Sequence, residues 1–274
     1  MNRIFTGIAA IASLLTTSAF AADLAPRTYT KAPVMVDPGF NWSGFYVGGN
    51  VGYSWGRSGN SETLSSVATG AALFTNTSRN DVNGVIGGGQ VGYNWQTSNW
   101  LFGLEADIQG SGEKGSSTIV CLACGSGPSD LMANLTQKLN WFGTFRGRAG
   151  VLATPTVLLY ATGGLAYGEV DTGGSITGPT LQVPLATVAF PGTSSTRAGW
   201  TVGAGVEGRI AGNWTAKLEY LYMDLGTVNA GPFATTILGT TRNALAASYS
   251  SHFTDNILRV GVNYNFSGPV VARY

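Results

Sequence analysis

Two glycine strings, one cysteine pair, one histidine and a scatter of charges are the residues of this 274-residue chain from which chemistry could be built. Gly87, Gly89 and Gly92 follow the G-x-G-x-x-G spacing, as do Gly203, Gly205 and Gly208. On a strand, turn and helix that string holds a dinucleotide pyrophosphate. Here each string lies inside one alternating extended segment, so it predicts small residues making room for long neighbours, and no cofactor is called for. Cys121 and Cys124 are the only cysteines. After export their spacing predicts a local disulfide. The glycine and serine around them predict no helix for a redox centre, and two Cys with one distant His fall short of the four ligands of zinc. His252 has Ser250, Ser251 and Asp255 nearby, which raises a hydrolase reading. No G-x-S-x-G elbow occurs and no third member is fixed by spacing, so an enzyme is not expected.

The charges are more telling. Glu105, Asp107, Arg146, Arg148, Glu207, Arg209, Lys217, Glu219 and Arg259 all fall on the polar face of alternating segments. Buried without partners they would be very costly. Counting from segment ends sets Glu105 against Arg146 and Glu207 against Lys217. They are therefore expected to form an interior ion-pair network. A selectivity ring lining a water path is the alternative.

The elements that must position these charges are strands. Phe45, Val47, Gly49, Val51, Tyr53 and Trp55 share one face, with Tyr46, Gly48, Asn50, Gly52 and Ser54 on the other. A period of two is a strand. The pattern recurs over 85–95, 100–109, 139–151, 157–167, 200–210, 214–224 and 256–266. Connections between these segments run 29, 4, 29, 5, 32, 3 and 31 residues, long and short in strict alternation. Segments near the ~9–11 residues of a tilted bilayer-crossing strand, joined in this way, predict an all-β fold, an eight-stranded antiparallel up-and-down transmembrane β-barrel. Short connections would be periplasmic turns, long ones external loops, and both termini periplasmic. Trp42, Trp55, Trp95, Trp100, Trp200 and Trp214 fall at or near segment ends, as interface girdles require, and Trp141 falls inside one. An eight-stranded interior is only wide enough to be filled by side chains, which favours a plug over a channel.

Composition agrees. Charged residues are 11% and glycines number 40, with no collagen-like period. A net charge of +1 offers no basic surface for nucleic acid. Met1, Asn2 and Arg3, an apolar run from Ile4 to Leu15 and the triplet Ala19, Phe20, Ala21 read as a signal peptide over 1–21. Residues 22–41, with Pro26, Pro33 and Pro38, read as a periplasmic lead-in, 42–266 as the barrel and 267–274 as a C-terminal tail.

The lead-in Ala22-Asp23-Leu24, the run from Trp42 to Asn50, the run from Tyr160 to Gly168 and the run from Lys217 to Tyr222 resemble the alphaproteobacterial porin-like outer-membrane immunogenic proteins. The resemblance implies an abundant surface antigen of the porin family that maintains the cell envelope, with a narrow porin-like channel or a haem port proposed for some members. Outer-membrane lipids, lipopolysaccharide and the barrel-assembly machinery are the expected partners, with host-surface contacts, and with peptidoglycan contact as a role for the 22–41 lead-in. Gly261, Tyr264 and Phe266, with Arg259, are similar to the assembly signal of such barrels. Most relatives end on the last aromatic, whereas eight residues follow Phe266 here.

Overall fold

The computed structural model describes residues 40–121, 131–178, 186–235 and 245–266. The expected signal peptide, the lead-in as far as residue 39, Cys124 and the tail over 267–274 lie outside the described residues.

Eight strands follow one another: β1 (Gly44–Ser66), β2 (Ala72–Thr97), β3 (Trp100–Cys121), β4 (Leu131–Thr154), β5 (Val157–Gly178), β6 (Ala186–Ala211), β7 (Trp214–Thr235) and β8 (Leu245–Asn265). Each pairs antiparallel with the next, and β1 returns to β8 from Tyr46 opposite Asn265 to Ser66 opposite Leu245. The ring is closed, so no ladder of backbone donors is left at an edge. Two-residue turns join the strands at 98–99, 155–156 and 212–213, where Ser98 (φ 56°) and Gly212 (φ 51°) take the left-handed conformation a tight hairpin demands.

The strands are 21 to 26 residues long, about twice the expected length. Most of what the sequence assigns to long loops is strand: β1 and β2 continue to a connection of residues 67–71. Backbone pairing does not need apolar side chains. Beyond Trp55 the chain still alternates, with Arg57, Gly59 and Ser61 outward and Ser58, Asn60 and Glu62 inward. An apolar pattern ends where the hydrogen-bonded ladder does not.

The outward apolar belt covers 45–55, 85–95, 100–108, 141–151, 157–167, 200–210, 214–222 and 258–266. These are the stretches of bilayer-crossing length. Aromatic pairs mark the belt's two rims: Phe45 with Tyr93 and Trp214 with Tyr264 at the turn end, Trp55 with Tyr220 and Trp200 with Tyr222 at the other. Two tryptophans depart from expectation. Trp42 is fully buried in the mouth at the turn end, its indole NH donating to the Pro155 carbonyl at 3.3 Å. Trp141 belongs to the rim, edge-on to Tyr167 at 6.0 Å, because the strand continues past it.

Inward glycines make the bore passable for long side chains. A Cβ at Gly92 would strike the Tyr46 ring, and one at Gly205 would come within 2.6 Å of the Tyr160 hydroxyl. These two phenols can therefore cross the lumen.

Candidate functional site

The lumen is filled in layers. At the turn end Trp42, Leu101, Leu152, Leu158 and Tyr160 form an apolar floor against which Phe40 packs. Above the floor lie Glu105, Asp107, Glu207 and Glu219 with Arg146, Arg148, Lys217 and Arg259, all but closed to solvent. Above these a second apolar layer includes Val82, Ile86, Leu139, Phe142, Met223 and Phe253.

Four carboxylates meet four cations, so the charged layer is neutral. Glu105 is its centre. Arg146 contacts it directly, Lys217 Nζ stands 3.0 Å away, Arg259 3.4 Å and Arg148 3.8 Å, and the Tyr46 hydroxyl donates to it at 2.7 Å. Arg146 also reaches Asp107 (2.9 Å) and Glu219 (3.1 Å), and Arg259 bridges Asp107 (2.9 Å) and Glu219 (2.6 Å). Arg148 pairs with Glu207 at 3.0 Å and lies between the Tyr46 and Tyr160 rings at 4.9 and 5.1 Å from their centroids. Planar guanidinium groups suit such shared, forked contacts.

Two expectations are corrected. Arg209 is exposed at the turn end, where its Nε donates to the Gly212 carbonyl at 3.0 Å and its head lies over Phe40. Inward parity holds a side chain in the lumen only while the strand is inside the mouth. Glu207 and Lys217 are opposite one another in the ladder, yet Lys217 reaches across the bore to Glu105 and Glu207 turns to Arg148 and Thr215. In a narrow barrel the lumen brings distant strands as close as neighbouring ones. Glu105 and Arg146 are ladder partners and do touch.

The sequence reading missed a second constellation. Beyond the belt, Glu113 and Asp255 are both fully buried beside the upper apolar layer. Ser111 donates to Glu113 Oε1 at 3.1 Å and Ser54 to Asp255 Oδ1. Glu113 Oε2 and Asp255 Oδ2 have no hydrogen-bond partner among the described residues. Two carboxyls buried so near one another disfavour ionisation of both. Burial, and then the facing Asp255, push Glu113 up to about 9. Burial pushes Asp255 up to about 7 against the donors Ser54 and the Asn256 amide. Counting inward by twos from Glu105 and from Arg259 would have found both residues.

The hydrolase grouping does not assemble. His252 faces outward, half exposed, 3.4 Å from Asp224 and 3.2 Å from the Thr227 hydroxyl, whereas Ser251 and Asp255 are buried on the opposite face of β8. Of the cysteine pair, Cys121 ends β3 and its partner lies outside the described residues. Gly261 and Tyr264 are in β8, and the Phe266 amide donates to the Phe45 carbonyl at 2.8 Å, closing the seam at the last described residue.

Fold and interior together define a membrane-spanning antiparallel β-barrel. The family model of the outer membrane protein beta-barrel domain matches residues 7–266, and the chain belongs to that family. It is 36% identical over 268 residues to the 31 kDa outer-membrane immunogenic protein of Brucella melitensis, covering 94% of this chain and 98% of the relative. It is 28% identical over 236 residues to the 22 kDa outer membrane protein of Rhizobium leguminosarum, covering 86% and 82%. Among solved structures, the outer membrane protein OprG of Pseudomonas aeruginosa aligns at 13% identity, covering 84% of this chain and all of that one, with a TM-score of 0.44.

Proposed function

We propose that this outer-membrane barrel serves the envelope mechanically and as a surface antigen, and neither conducts solutes nor performs catalysis. The observation that carries the reading is the filled bore: a neutral eight-residue ion-pair layer between two apolar layers. Removing any one charge would strand another in a low-dielectric interior, so the layer behaves as a rigid plug. In this reading the two-residue turns and both termini face the periplasm after signal-peptide removal. The long-strand end stands above the surface, where relatives named immunogenic would present epitopes. Gly261, Tyr264 and Phe266 are read by the assembly machinery, and lipid and lipopolysaccharide surround the belt.

A narrow water path is the second reading. Arg148 Nη2, Arg259 Nη1, Asp107 Oδ1 and both amide atoms of Gln109 lack partners among the described residues, and water threading the layer would satisfy them. Deletion of the gene separates the two. Detergent sensitivity and vesicle shedding, restored by the wild-type chain, support the mechanical role. An intact envelope with slowed uptake of small solutes overturns it.

A further inference from the structure

On the outer wall beyond the belt, lysine faces lysine. Lys114 of β3 and Lys138 of β4 are direct ladder partners, both exposed on the outward face. Like charges so placed oppose strand pairing. Neither lysine makes an ion pair among the described residues. The β1–β2 ladder shows the ordinary arrangement, with Arg57 opposite Asp81. The two lysines open onto a recess of about 620 Å³ whose other lining includes the hydroxyl residues Ser116, Thr136 and Ser194. One carboxylate, Asp171, also lines it, opposite Lys138 on the far side and already accepting from the Asn140 amide at 2.6 Å. A recess with two ammonium groups against one carboxylate keeps an excess positive charge, and with several hydroxyls beside it suits a phosphorylated sugar.

The height is suitable. Lys138 is three residues beyond Trp141 at the belt's rim, and Lys114 four beyond outward Gly110. At ~3.3 Å per residue on strands tilted ~40°, both Cα atoms stand roughly 8–10 Å above the belt, within a lysine's reach of the headgroups.

Below the recess the same face of β3 runs Lys114, Gly112, Gly110 into an apolar groove of about 880 Å³, walled by Tyr53, Val85 and Leu258 and floored also by Gly87 of β2. These glycines are not required by the barrel's packing. A Cβ at Gly87 or Gly110 would have its nearest neighbour at 3.7 Å, an ordinary contact, unlike the inward glycines. Their effect is to leave a shallow apolar depression in the outer wall, along which a hydrocarbon chain can lie.

We infer that this face holds one phosphorylated glycolipid of the outer leaflet, the lipid A portion of lipopolysaccharide, with phosphate on Lys114 and Lys138 and an acyl chain along Gly112, Gly110 and Gly87. Charge complementarity selects an anionic headgroup, and the groove selects a lipid over a free anion. The assignment rests on the outer-membrane reading with the long-strand end outside.

The test uses the full mature chain in phosphatidylcholine nanodiscs, titrated with bisphosphorylated lipid A, dephosphorylated lipid A or inorganic phosphate. Thermal midpoint is the readout, and the gel mobility of unheated against boiled samples reports barrel closure. Bisphosphorylated lipid A should raise the wild-type midpoint. Lys114→Gln with Lys138→Gln should weaken its apparent Kd at least tenfold, and Gly87→Leu with Gly110→Leu should weaken it several-fold, both variants remaining heat-modifiable. Equal stabilisation by dephosphorylated lipid A or by inorganic phosphate, or unchanged affinity in the lysine variant, overturns the assignment while leaving the barrel reading intact. Loss of heat-modifiability in the wild type would instead sink the barrel reading.

Discussion

Replacing Glu105 by Gln keeps the shape of the charged layer and removes its central charge. Glu105 is the only carboxylate within 4 Å of Lys217 among the described residues, and it also contacts Arg146, Arg148 and Arg259. The substitution turns a neutral layer into one with an excess positive charge and strands a fully buried ammonium. Breaking a buried pair from one side costs about 3–5 kcal/mol. Glutamine keeps one carbonyl oxygen, which still accepts from Arg146, while Tyr46, which donates to the other oxygen, loses its acceptor, so about 3–4 kcal/mol is expected. Lys217→Met in the same chain removes the stranded charge. The double variant should then recover at least ~1 kcal/mol relative to the sum of the single losses. Urea unfolding of the barrel in phospholipid vesicles, followed by tryptophan fluorescence, measures both numbers. A loss under ~0.5 kcal/mol for Glu105→Gln, or strict additivity in the cycle, would refute the picture of one coupled layer.

Three further outcomes are expected. Protease added to intact cells should cut at the 67–71 connection and spare the turns at 98–99, 155–156 and 212–213; the opposite pattern would invert the orientation. The Glu113 and Asp255 carboxyls lie outside the belt with folded values raised to about 9 and about 7, above their unfolded ones, so their contribution is fully present in acid and is lost as pH rises through the folded values. The wild type should therefore lose stability steadily as pH rises from about 5 to about 9, and Glu113→Gln with Asp255→Asn should flatten that slope; equal slopes would show that the fold does not raise these two carboxyls. Truncation after Phe266 should leave insertion and heat-modifiability intact while Phe266→Ala in the full chain impairs them; the reverse would move the assembly signal into the tail.

Alternation by twos, read off residues such as Phe45 to Trp55, was enough for the number of strands, their order and the position of the turns, because every belt residue must satisfy lipid on one side and the lumen on the other. Strand length was not legible, since beyond Trp55 the outward face becomes polar and the ladder is carried by backbone bonds that leave no apolar trace. The charged interior was legible by parity for eight residues. Parity misplaced Arg209, which has the right face but lies past the mouth. Pairing was legible only between ladder partners such as Glu105 and Arg146. The Lys217 to Glu105 contact joins β7 to β3 across the bore, and no count along either strand reveals which side chain crosses. Glu113 and Asp255 were hidden because the apolar signal had already ended, and they were left among loop residues.

Ion conductance of the full mature chain in a planar bilayer tests the central claim, that the neutral layer and its apolar neighbours close the bore. Insertion of wild-type barrels should give no stable conductance steps, and Glu105→Ala with Lys217→Ala, which empties part of the layer, should introduce them. Stable, ohmic steps from the wild-type barrel at neutral pH would contradict the plug and establish a channel.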